Sequence, residues 1–364
     1  PAYDPNKFTH GIDSKDWKDI KSNPFRPLIN KSISGLYSPG STIKPIVALA
    51  ALEYGIISPD KIIQCKGHKH PYELYGEKYH CWKKYGHGHM KLRNAIKQSC
   101  DIYFYEVARL LGVDRLSIIA KRYGLGSKVL ENFYNNEKKG IVPSTTWKRQ
   151  NLEQSWYLGE TIITGIGQGY IQSTPLQLCL MTAQLANGGY KIKPNIIYKN
   201  NPNFEEIISK IKNYKPSLHD QNILKEQDIK LYGRMFKNPE NIKFVLDAMF
   251  GSTNEQYGTS YKSRFENAKY QFAGKTGTSQ VRRITDKQRK LDLDTSQIEY
   301  KNRDHALFVA FAPYKNPRYS ISVLIEHGGS GSKAAAPLAK KVIKKIIDRH
   351  QLREQIRKGI TTLV

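Results

Sequence analysis

The sequence predicts a mixed α/β fold of the α+β type, in which an antiparallel sheet flanked by helices is joined to a mainly helical lobe. Three strand-like segments, 270–281, 305–314 and 319–326, follow one another in the C-terminal third, and a short proline-bounded turn joins the last two. Neighbouring strands joined by a short turn pair in the antiparallel sense. Earlier in the chain, apolar residues recur every three or four positions between 90 and 123, which is the period of an amphipathic helix.

The chain is organised around the stretch 37–45, which reads Tyr-Ser-Pro-Gly-Ser-Thr-Ile-Lys-Pro. The apolar run 46–52 that follows predicts a buried helix, with Ser41 at its N-terminus. Lys44 would lie one turn later on the same helix face. A serine needs a base to become a nucleophile, and a lysine can be that base where burial and nearby cations lower its pKa. Taken alone this motif is weak, because a serine three positions before a lysine is common.

We expect one domain, because 364 residues can bury one large core. Its parts would be an approach segment and nucleophile helix at 1–60, a mainly helical lobe with a metal loop at 61–260, and the sheet with a C-terminal helix at 261–364. No run of about 18 apolar residues is present to span a membrane. Since the chain begins Pro-Ala-Tyr-Asp-Pro-Asn without Met or a signal peptide, we expect an N-terminal anchor and pedestal to lie outside it.

Local patterns predict further elements. Residues 1–36 are rich in Pro, Asn, Asp, Ser and Gly and predict an extended segment on the surface, and residues 125–160 predict a loop. Asp114 is expected to cap the second helix of the 90–123 region. A last helix is predicted over 334–347, and the apolar residues expected to pack it on the sheet are Leu338, Val342, Ile346 and Ile347.

The charge balance leaves two interpretations open. The chain has 58 Lys and Arg against 32 Asp and Glu, a net charge of +26. This suits an anionic partner such as a phosphorylated lipid or a membrane surface. It is also what genome-wide compositional drift produces, since Lys, Ile, Asn and Tyr are abundant along the whole chain. No zinc-finger, homeodomain or RNA-binding signature accompanies the charge, so nucleic acid is not an expected partner.

Three short motifs stand in order along the chain: Ser41-Thr42-Ile43-Lys44, Ser99-Cys100-Asp101 and Lys275-Thr276-Gly277. Together they are far more specific than any one of them. This set resembles the serine acyl-transferase superfamily of β-lactamases and penicillin-binding proteins, and it implies the transpeptidase fold of that superfamily.

Chemistry gives each side chain of the first two motifs a role. Ser41 would attack a carbonyl, Lys44 would take its proton, and Ser99 would relay that proton to the leaving amine. Asp101 would orient Ser99 and balance local cations.

The third motif would bind the substrate. Lys275 adds positive charge for a carboxylate, Thr276 can hydrogen-bond the same carboxylate, and Gly277 lets the backbone approach closely. By the resemblance, the backbone N–H groups of Ser41 and Thr278 form the oxyanion hole.

Details resemble the elongation-specific branch of class B penicillin-binding proteins. These are the segment 79–88, the Asp at 101 where most relatives have Asn, and the segment 166–177. The branch implies a D,D-transpeptidase that crosslinks peptidoglycan stem peptides delivered on a lipid-linked precursor and is acylated by β-lactam antibiotics. It also implies a SEDS-type glycosyltransferase and a rod-shape scaffold protein as partners. The whole protein would be anchored in the cytoplasmic (inner) membrane, with its catalytic domain on the outer, periplasmic face.

Two other functions remain open. A serine β-lactamase shares the three motifs but hydrolyses its acyl-enzyme, and no Glu stands in a recognisable context for the deacylating water. A catalytically silent scaffold that activates a glycosyltransferase would not need all of Ser41, Lys44, Ser99 and Lys275.

A structural zinc is predicted at Cys65, Cys81, His87 and Cys100, because three thiolates and an imidazole are a preferred tetrahedral set. If Ser99 and Asp101 face the active site, the intervening Cys100 points away, and a metal behind it would support the catalytic turn. By resemblance, a related site occurs in the elongation-specific branch, with Asp in place of some Cys. The alternative is a Cys65–Cys81 disulfide. The remaining candidates are assigned to the surface (His68, His70, His80, His89) and to the core (Cys179).

Overall fold

The computed structural model describes residues 3–130, 135–194, 233–282 and 295–357. The sequence also predicts a long charged loop over 282–304 and a lysine-rich stretch over 190–260. Most of the first and much of the second lie outside the described residues.

The helices in the described residues are, in chain order, α1 Ser14–Ser22, α2 Lys31–Ser34, α3 Lys44–Glu53, α4 Leu92–Lys97, α5 Asp101–Leu111, α6 Val113–Arg122, α7 Thr145–Leu152, α8 Leu158–Gly165, α9 Pro175–Ala186, α10 Pro239–Asn254 and α11 Ala336–Arg357. The strands are β1 Ile63–Cys65, β2 Tyr72–Leu74, β3 Glu77–Tyr79, β4 Gly88–Met90, β5 Ala273–Ser279, β6 His305–Ala312 and β7 Tyr319–Ile325. None of these helices is both long enough and apolar enough to cross a membrane.

The predicted antiparallel sheet is confirmed. Strands β5, β6 and β7 pair in that order, with Lys275 opposite Val309 and Val309 opposite Ser322. The central strand β6 is buried on both faces because successive side chains alternate between two cores. Leu307, Val309 and Phe311 join the helical core, whereas the alternate residues of β6 join the core beneath α11.

Helix α3 forms the centre of the helical lobe. Every residue from Ile46 to Ala51 is 0% exposed, because the helix is apolar on all sides and packs against α5, α6 and α10. Pro45 fits the first turn, where its missing N–H has no partner to lose. Lys44 is the first residue of α3, and it is therefore buried at the edge of this core.

Three local expectations were wrong. The segment 1–36 is surface-exposed but contains α1, whose Asp13 cap accepts a hydrogen bond from the Asp16 N–H at 2.7 Å. The 125–160 region, which was predicted to be a loop, contains α7 and the start of α8. The Ser144 side chain caps α7 by accepting a hydrogen bond from the Trp147 N–H. Helix α6 starts at Val113, with a glycine as its N-cap.

Asp114 therefore lies inside the first turn of α6 instead of capping it. Its carboxylate accepts hydrogen bonds from Thr145 and joins α6 to α7.

The packed face of α11 also differs from the expectation. Ile347 is buried as predicted, but its partners are Ala336, Ala339 and Ile343. Leu338 is 44% exposed, and Val342 and Ile346 are each 36% exposed. The small alanines let the helix approach the sheet closely, so the alanine-rich stripe is buried and the bulkier stripe faces outward.

Candidate active site

The nucleophile turn is a single 3-10 turn, Gly40–Ile43, that leads into α3. Ser41 is half-buried within it, whereas Thr42 is buried and donates its hydroxyl hydrogen to the Pro39 carbonyl at 2.7 Å. The Gly40 N–H donates to the Gly167 carbonyl at 2.9 Å. The first hydrogen bond lies within the turn, and the second joins the turn to the segment around Gly167. Ser41 is therefore held on a rigid element.

Strand β5 lies directly against this turn. Gly40 has a φ of +53°, and a Cβ atom placed on it would be 2.4 Å from the Thr278 carbonyl oxygen. The same carbonyl accepts a hydrogen bond from Gln168 Nε2 at 3.0 Å. The backbones of Gly40 and Thr278 are thus in contact, beside the Ser41 and Thr278 N–H groups that are predicted to form the oxyanion hole.

Lys44 is the centre of the buried polar network. Its side chain is 0% exposed, and its Nζ donates to the Ser99 carbonyl at 3.0 Å, to Ser99 Oγ at 3.2 Å and to Asp101 Oδ1 at 2.6 Å. Burial raises the pKa of Asp101, and the Lys44 ammonium opposes that rise. The first and second motifs of the sequence are therefore joined through one lysine.

Ser99 is held in an unusual backbone conformation by Trp82. Its φ is +57°, a region that non-glycine residues rarely adopt. The Trp82 indole N–H donates to the Ser99 carbonyl at 3.0 Å, and the Trp82 backbone N–H donates to Asp101 Oδ2 at 2.9 Å. Trp82 therefore hydrogen-bonds the same two residues as Lys44, sharing the Ser99 carbonyl and taking the other oxygen of the Asp101 carboxylate. It comes directly after Cys81 in the chain.

The third motif places a second buried lysine nearby. Lys275 is 0% exposed, and its Nζ donates to the Thr276 carbonyl at 3.1 Å. Burial lowers the pKa of Lys275 well below its usual value, and the charge of Lys44 lowers it further, although Asp101 acts in the opposite direction. Asp101 forms its ion pair with Lys44 and acts on Lys275 only through its charge.

Gly277 is needed for packing against the nucleophile turn. A Cβ atom on it would be 2.7 Å from the Thr42 side chain and 3.1 Å from the Pro39 carbonyl oxygen. Thr276, which shares a strand face with Thr278, is 7% exposed and donates its hydroxyl hydrogen to Thr259 Oγ1 at 2.7 Å. Thr278 itself is exposed beside the turn.

The four predicted metal ligands lie together behind the Ser99 turn. The ligand atoms are the Sγ atoms of Cys65, Cys81 and Cys100 and a ring nitrogen of His87. All four lie within 4.8 Å of one another. The His87 Nδ1 is 3.5 Å from Sγ of both Cys65 and Cys81. All four cysteines are free thiols, and Cys179 is half-buried against Ser320.

The four histidines that were assigned to the surface divide into two pairs. His70 and His89 are exposed, as expected of surface residues. His68 and His80 are half-buried, and His68 Nε2 contacts the Cys81 carbonyl at 2.7 Å.

Sequence reasoning assigned no role to three residues that the structure places at the site. Trp82 follows a proposed metal ligand and Gln168 belongs to a glycine-rich segment, so both had a nearby signal. Thr259 lies in a stretch from which no pattern was read, and only the fold brings it to β5.

The comparisons with known proteins agree with this geometry. The family model described as penicillin binding protein transpeptidase domain matches residues 1–344. The peptidoglycan D,D-transpeptidase MrdA of Salmonella typhimurium is 36% identical over 350 residues, which cover 96% of this chain and 52% of that protein. The chain therefore spans about half the length of the curated relatives it matches.

Solved structures of PBP2 proteins are also similar to this chain. The structure of Pseudomonas aeruginosa PBP2 in complex with WCK 5153 is 38% identical, with a TM-score of 0.76 and coverage of 95% of this chain and 69% of that chain. The complex of PBP2 and MreC from Helicobacter pylori is 32% identical with a TM-score of 0.75, covering 95% of this chain and 56% of that chain. The resemblance to the elongation-specific branch is confirmed by these relatives, and the chain belongs to the penicillin-binding protein transpeptidase domain family.

Proposed function

We propose that this chain is the catalytic part of a peptidoglycan D,D-transpeptidase that works through a serine acyl-enzyme at Ser41. The observation that carries the proposal is the buried Lys44, whose Nζ reaches Ser99 Oγ at 3.2 Å and Asp101 at 2.6 Å directly behind the nucleophile turn. In its neutral amine form, a lysine in this position can accept a proton from the serine and exchange it with a second hydroxyl.

The reaction has two halves. In the first, Ser41 Oγ attacks the carbonyl carbon of the penultimate D-alanine, and its proton moves to Lys44. Asp101 stabilises the ammonium so formed. Ser99 passes its proton to the departing D-alanine amine as the C–N bond breaks, and it takes a proton from the Lys44 ammonium, which returns to the neutral amine. In the second, an amine of a neighbouring strand attacks the Ser41 ester and gives up a proton to Lys44 through Ser99. The new amide forms as the ester C–O bond breaks, and the Ser41 oxygen takes that proton back from Lys44.

Lys275, on β5, can supply the positive charge that pairs with the carboxylate of the substrate. Burial and the charge of Lys44 lower the pKa of Lys275. A substrate carboxylate in the cleft favours the ammonium form of Lys275. Binding of the carboxylate and protonation of this lysine therefore support each other, and a D-alanyl-D-alanine end or a β-lactam supplies such a carboxylate.

Two assays separate this function from its alternatives. The protein should be labelled covalently by a fluorescent penicillin and should turn over a chromogenic cephalosporin no faster than the reagent hydrolyses without protein. Absence of labelling would indicate a silent scaffold, and rapid catalytic turnover would indicate a β-lactamase.

We also propose a cellular location and partners for the whole protein. It would be anchored in the cytoplasmic membrane with this domain on the outer face, and it would act in cell elongation with a rod-shape scaffold protein and a SEDS-type glycosyltransferase. The complex of the H. pylori relative with MreC supports a scaffold partner. Cell fractionation that places the native protein in the cytosol would contradict this location.

We also propose that Cys65, Cys81, His87 and Cys100 bind a structural zinc ion. Two tetrahedral zinc ligands at ordinary Zn–S and Zn–N distances lie about 3.6 Å apart. The 3.5 Å separations of His87 Nδ1 from two thiols fit that spacing. Four protein ligands leave no open coordination position, so the ion would hold the Ser99 turn in place and supply no reactive group.

Metal analysis tests the zinc proposal with a matched control. Dialysed protein should contain one zinc per chain, the Cys100→Ala variant should lose it, and the Cys179→Ala variant should retain it because Cys179 lies outside the cluster. A parent protein without zinc, or undiminished zinc in Cys100→Ala, would rule out the four-ligand site. Detection of a Cys65–Cys81 disulfide by peptide mapping would support the alternative.

A further inference from the structure

The short segment after α8 contacts both halves of the predicted oxyanion hole. On one side, the Gly167 carbonyl accepts a hydrogen bond at 2.9 Å from the Gly40 N–H, directly before Ser41. On the other side, Gln168 Nε2 donates to the Thr278 carbonyl at 3.0 Å. Two neighbouring residues of one segment therefore attach the nucleophile turn and β5 to each other.

This segment is packed tightly against the nucleophile turn. A Cβ atom on Gly167, which has a φ of +77°, would be 2.1 Å from the Gly40 carbonyl oxygen. Gln168 is 9% exposed, so water competes little for the hydrogen bond that its side-chain amide donates. The spacing between the turn and the strand is therefore set by direct contacts with the segment.

The segment is anchored as the C-terminal end of a buried helix. The N–H groups of Ile166 and Gln168 both donate to the Ile163 carbonyl, at 3.2 and 3.1 Å. Helix α8 in turn packs closely on α5, since a Cβ atom on Gly165 would be 2.3 Å from an alanine side chain of α5. The Gln168 side chain therefore extends from a rigid base, which also contacts the helix that begins at Asp101.

The carbonyl and the N–H of Thr278 lie on the same edge of β5. In an antiparallel pair, both groups of one residue point either to the partner strand or away from it. In the described sheet β5 pairs with β6, and its other edge lies against the nucleophile turn. Because Gln168 reaches the Thr278 carbonyl on the turn side, the Thr278 N–H faces that side as well. A Cβ atom on Gly40 would accordingly be 2.4 Å from the Thr278 oxygen and 3.2 Å from its nitrogen.

The hydrogen bond from Gln168 restrains the orientation of this strand residue. A twist of β5 at Thr278 would carry the carbonyl away from Gln168 and would leave a donor without its partner in a buried place, which is unfavourable. The same twist would move the Thr278 N–H. Donors of an oxyanion hole act best when they are fixed before the reaction, because they then need no reorganisation as charge develops.

We propose that Gln168 is a positioning residue, which holds the Thr278 N–H in the oxyanion hole by donating a hydrogen bond to the carbonyl of the same residue. This inference rests on the proposed function and deepens it. Because Gln168 acts through β5, its loss should slow the acylation step and have little effect on the binding that precedes it.

The experiment measures acylation by benzylpenicillin over a range of concentrations, which separates the rate constant at saturation from the Kd of the complex that precedes acylation. Gln168→Met keeps the length of the side chain and removes the donor. It should lower the rate constant by about 10- to 100-fold, less than the outright loss of an oxyanion-hole donor can cause, and leave Kd within about twofold. Gln172→Met is the matched control and should keep both values, because the hydrogen bonds of Gln172 to Ile141 use its backbone.

A rate constant for Gln168→Met equal to that of the wild type would overturn this inference alone. A rise in Kd as large as the fall in the rate constant, or an equal loss in Gln172→Met, would indicate a general packing defect and would overturn it too. A wild-type protein that benzylpenicillin never acylates would instead contradict the proposed function.

Gln168→Glu provides a second arm that compares one variant with itself and does not depend on the folding of Gln168→Met. A protonated carboxyl group can donate to the Thr278 carbonyl, whereas an ionised one can only accept and repels it. Burial favours the protonated form as the pH falls. The acylation rate of this variant, divided by the wild-type rate at the same pH, should therefore rise by about fivefold or more from pH 8 to pH 5. A ratio that stays the same between these pH values would overturn the proposal.

Discussion

A protein carrying Lys44→Met should be acylated by benzylpenicillin about 10²- to 10⁴-fold more slowly than the wild type, because Ser41 would lose its general base. Methionine fills much of the same buried volume without an amine. The rate of adduct formation, followed by intact-mass spectrometry, measures the effect.

The control must separate lost catalysis from lost stability. Lys44 is 0% exposed and Asp101 is nearly buried, so removing the ammonium leaves a carboxylate without its partner. That loss costs about 3–5 kcal/mol of folding stability in comparable buried pairs. The double variant Lys44→Met with Asp101→Asn removes both charges and should recover part of the stability while its acylation stays slow. An acylation rate equal to wild type in either variant would remove Lys44 from the mechanism.

Gly40→Ala should also suppress acylation strongly, by about 10²- to 10³-fold, because it separates the nucleophile turn from β5. The new Cβ would lie 2.4 Å from the Thr278 carbonyl oxygen, closer than atoms can pack, so the strand or the turn must shift. Such a shift displaces the two N–H groups proposed for the oxyanion hole, and the loss of one such donor has an effect of this size.

Gly55→Ala is the matched control for this variant. Gly55 also has a positive φ, +63°, but a Cβ atom there meets nothing within 4 Å. Both variants should lose about 1–2 kcal/mol from backbone strain, as seen in thermal unfolding. Only Gly40→Ala should lose acylation. Similar acylation in the two variants would show that the close contact between residues 40 and 278 has no catalytic importance.

Several elements were predictable because their signal is local. Strands β6 and β7 have apolar residues bounded by turn residues, and β6 is apolar from Ala306 to Ala312 because both of its faces are buried. Helix α3 was predictable for the same reason. The stretch 41–44 carries its chemistry in neighbouring positions, so the serine and the lysine were recognised before the fold was known.

Other features depend on contacts that no local pattern encodes. The apolar residues of α11 form two stripes, and only the shape of the sheet selects the alanine-rich one for burial. Thr259 has no distinctive neighbours, and the metal ligand proposed before Trp82 does not itself predict a role for Trp82. Each nevertheless donates or accepts a hydrogen bond at a catalytic motif distant in the sequence. The cap of α6 was misassigned because Gly112, with its φ of +79°, precedes the acidic residue that the pattern favoured.

The most direct test of the central claim is the mass of the intact protein after incubation with benzylpenicillin. The account predicts one covalent adduct per chain, located by peptide mapping on Ser41 and absent from the Ser41→Ala variant, which should keep the thermal stability of the wild type. An adduct of the same yield in Ser41→Ala, or a wild-type protein that remains unmodified, would contradict a serine acyl-enzyme at this site.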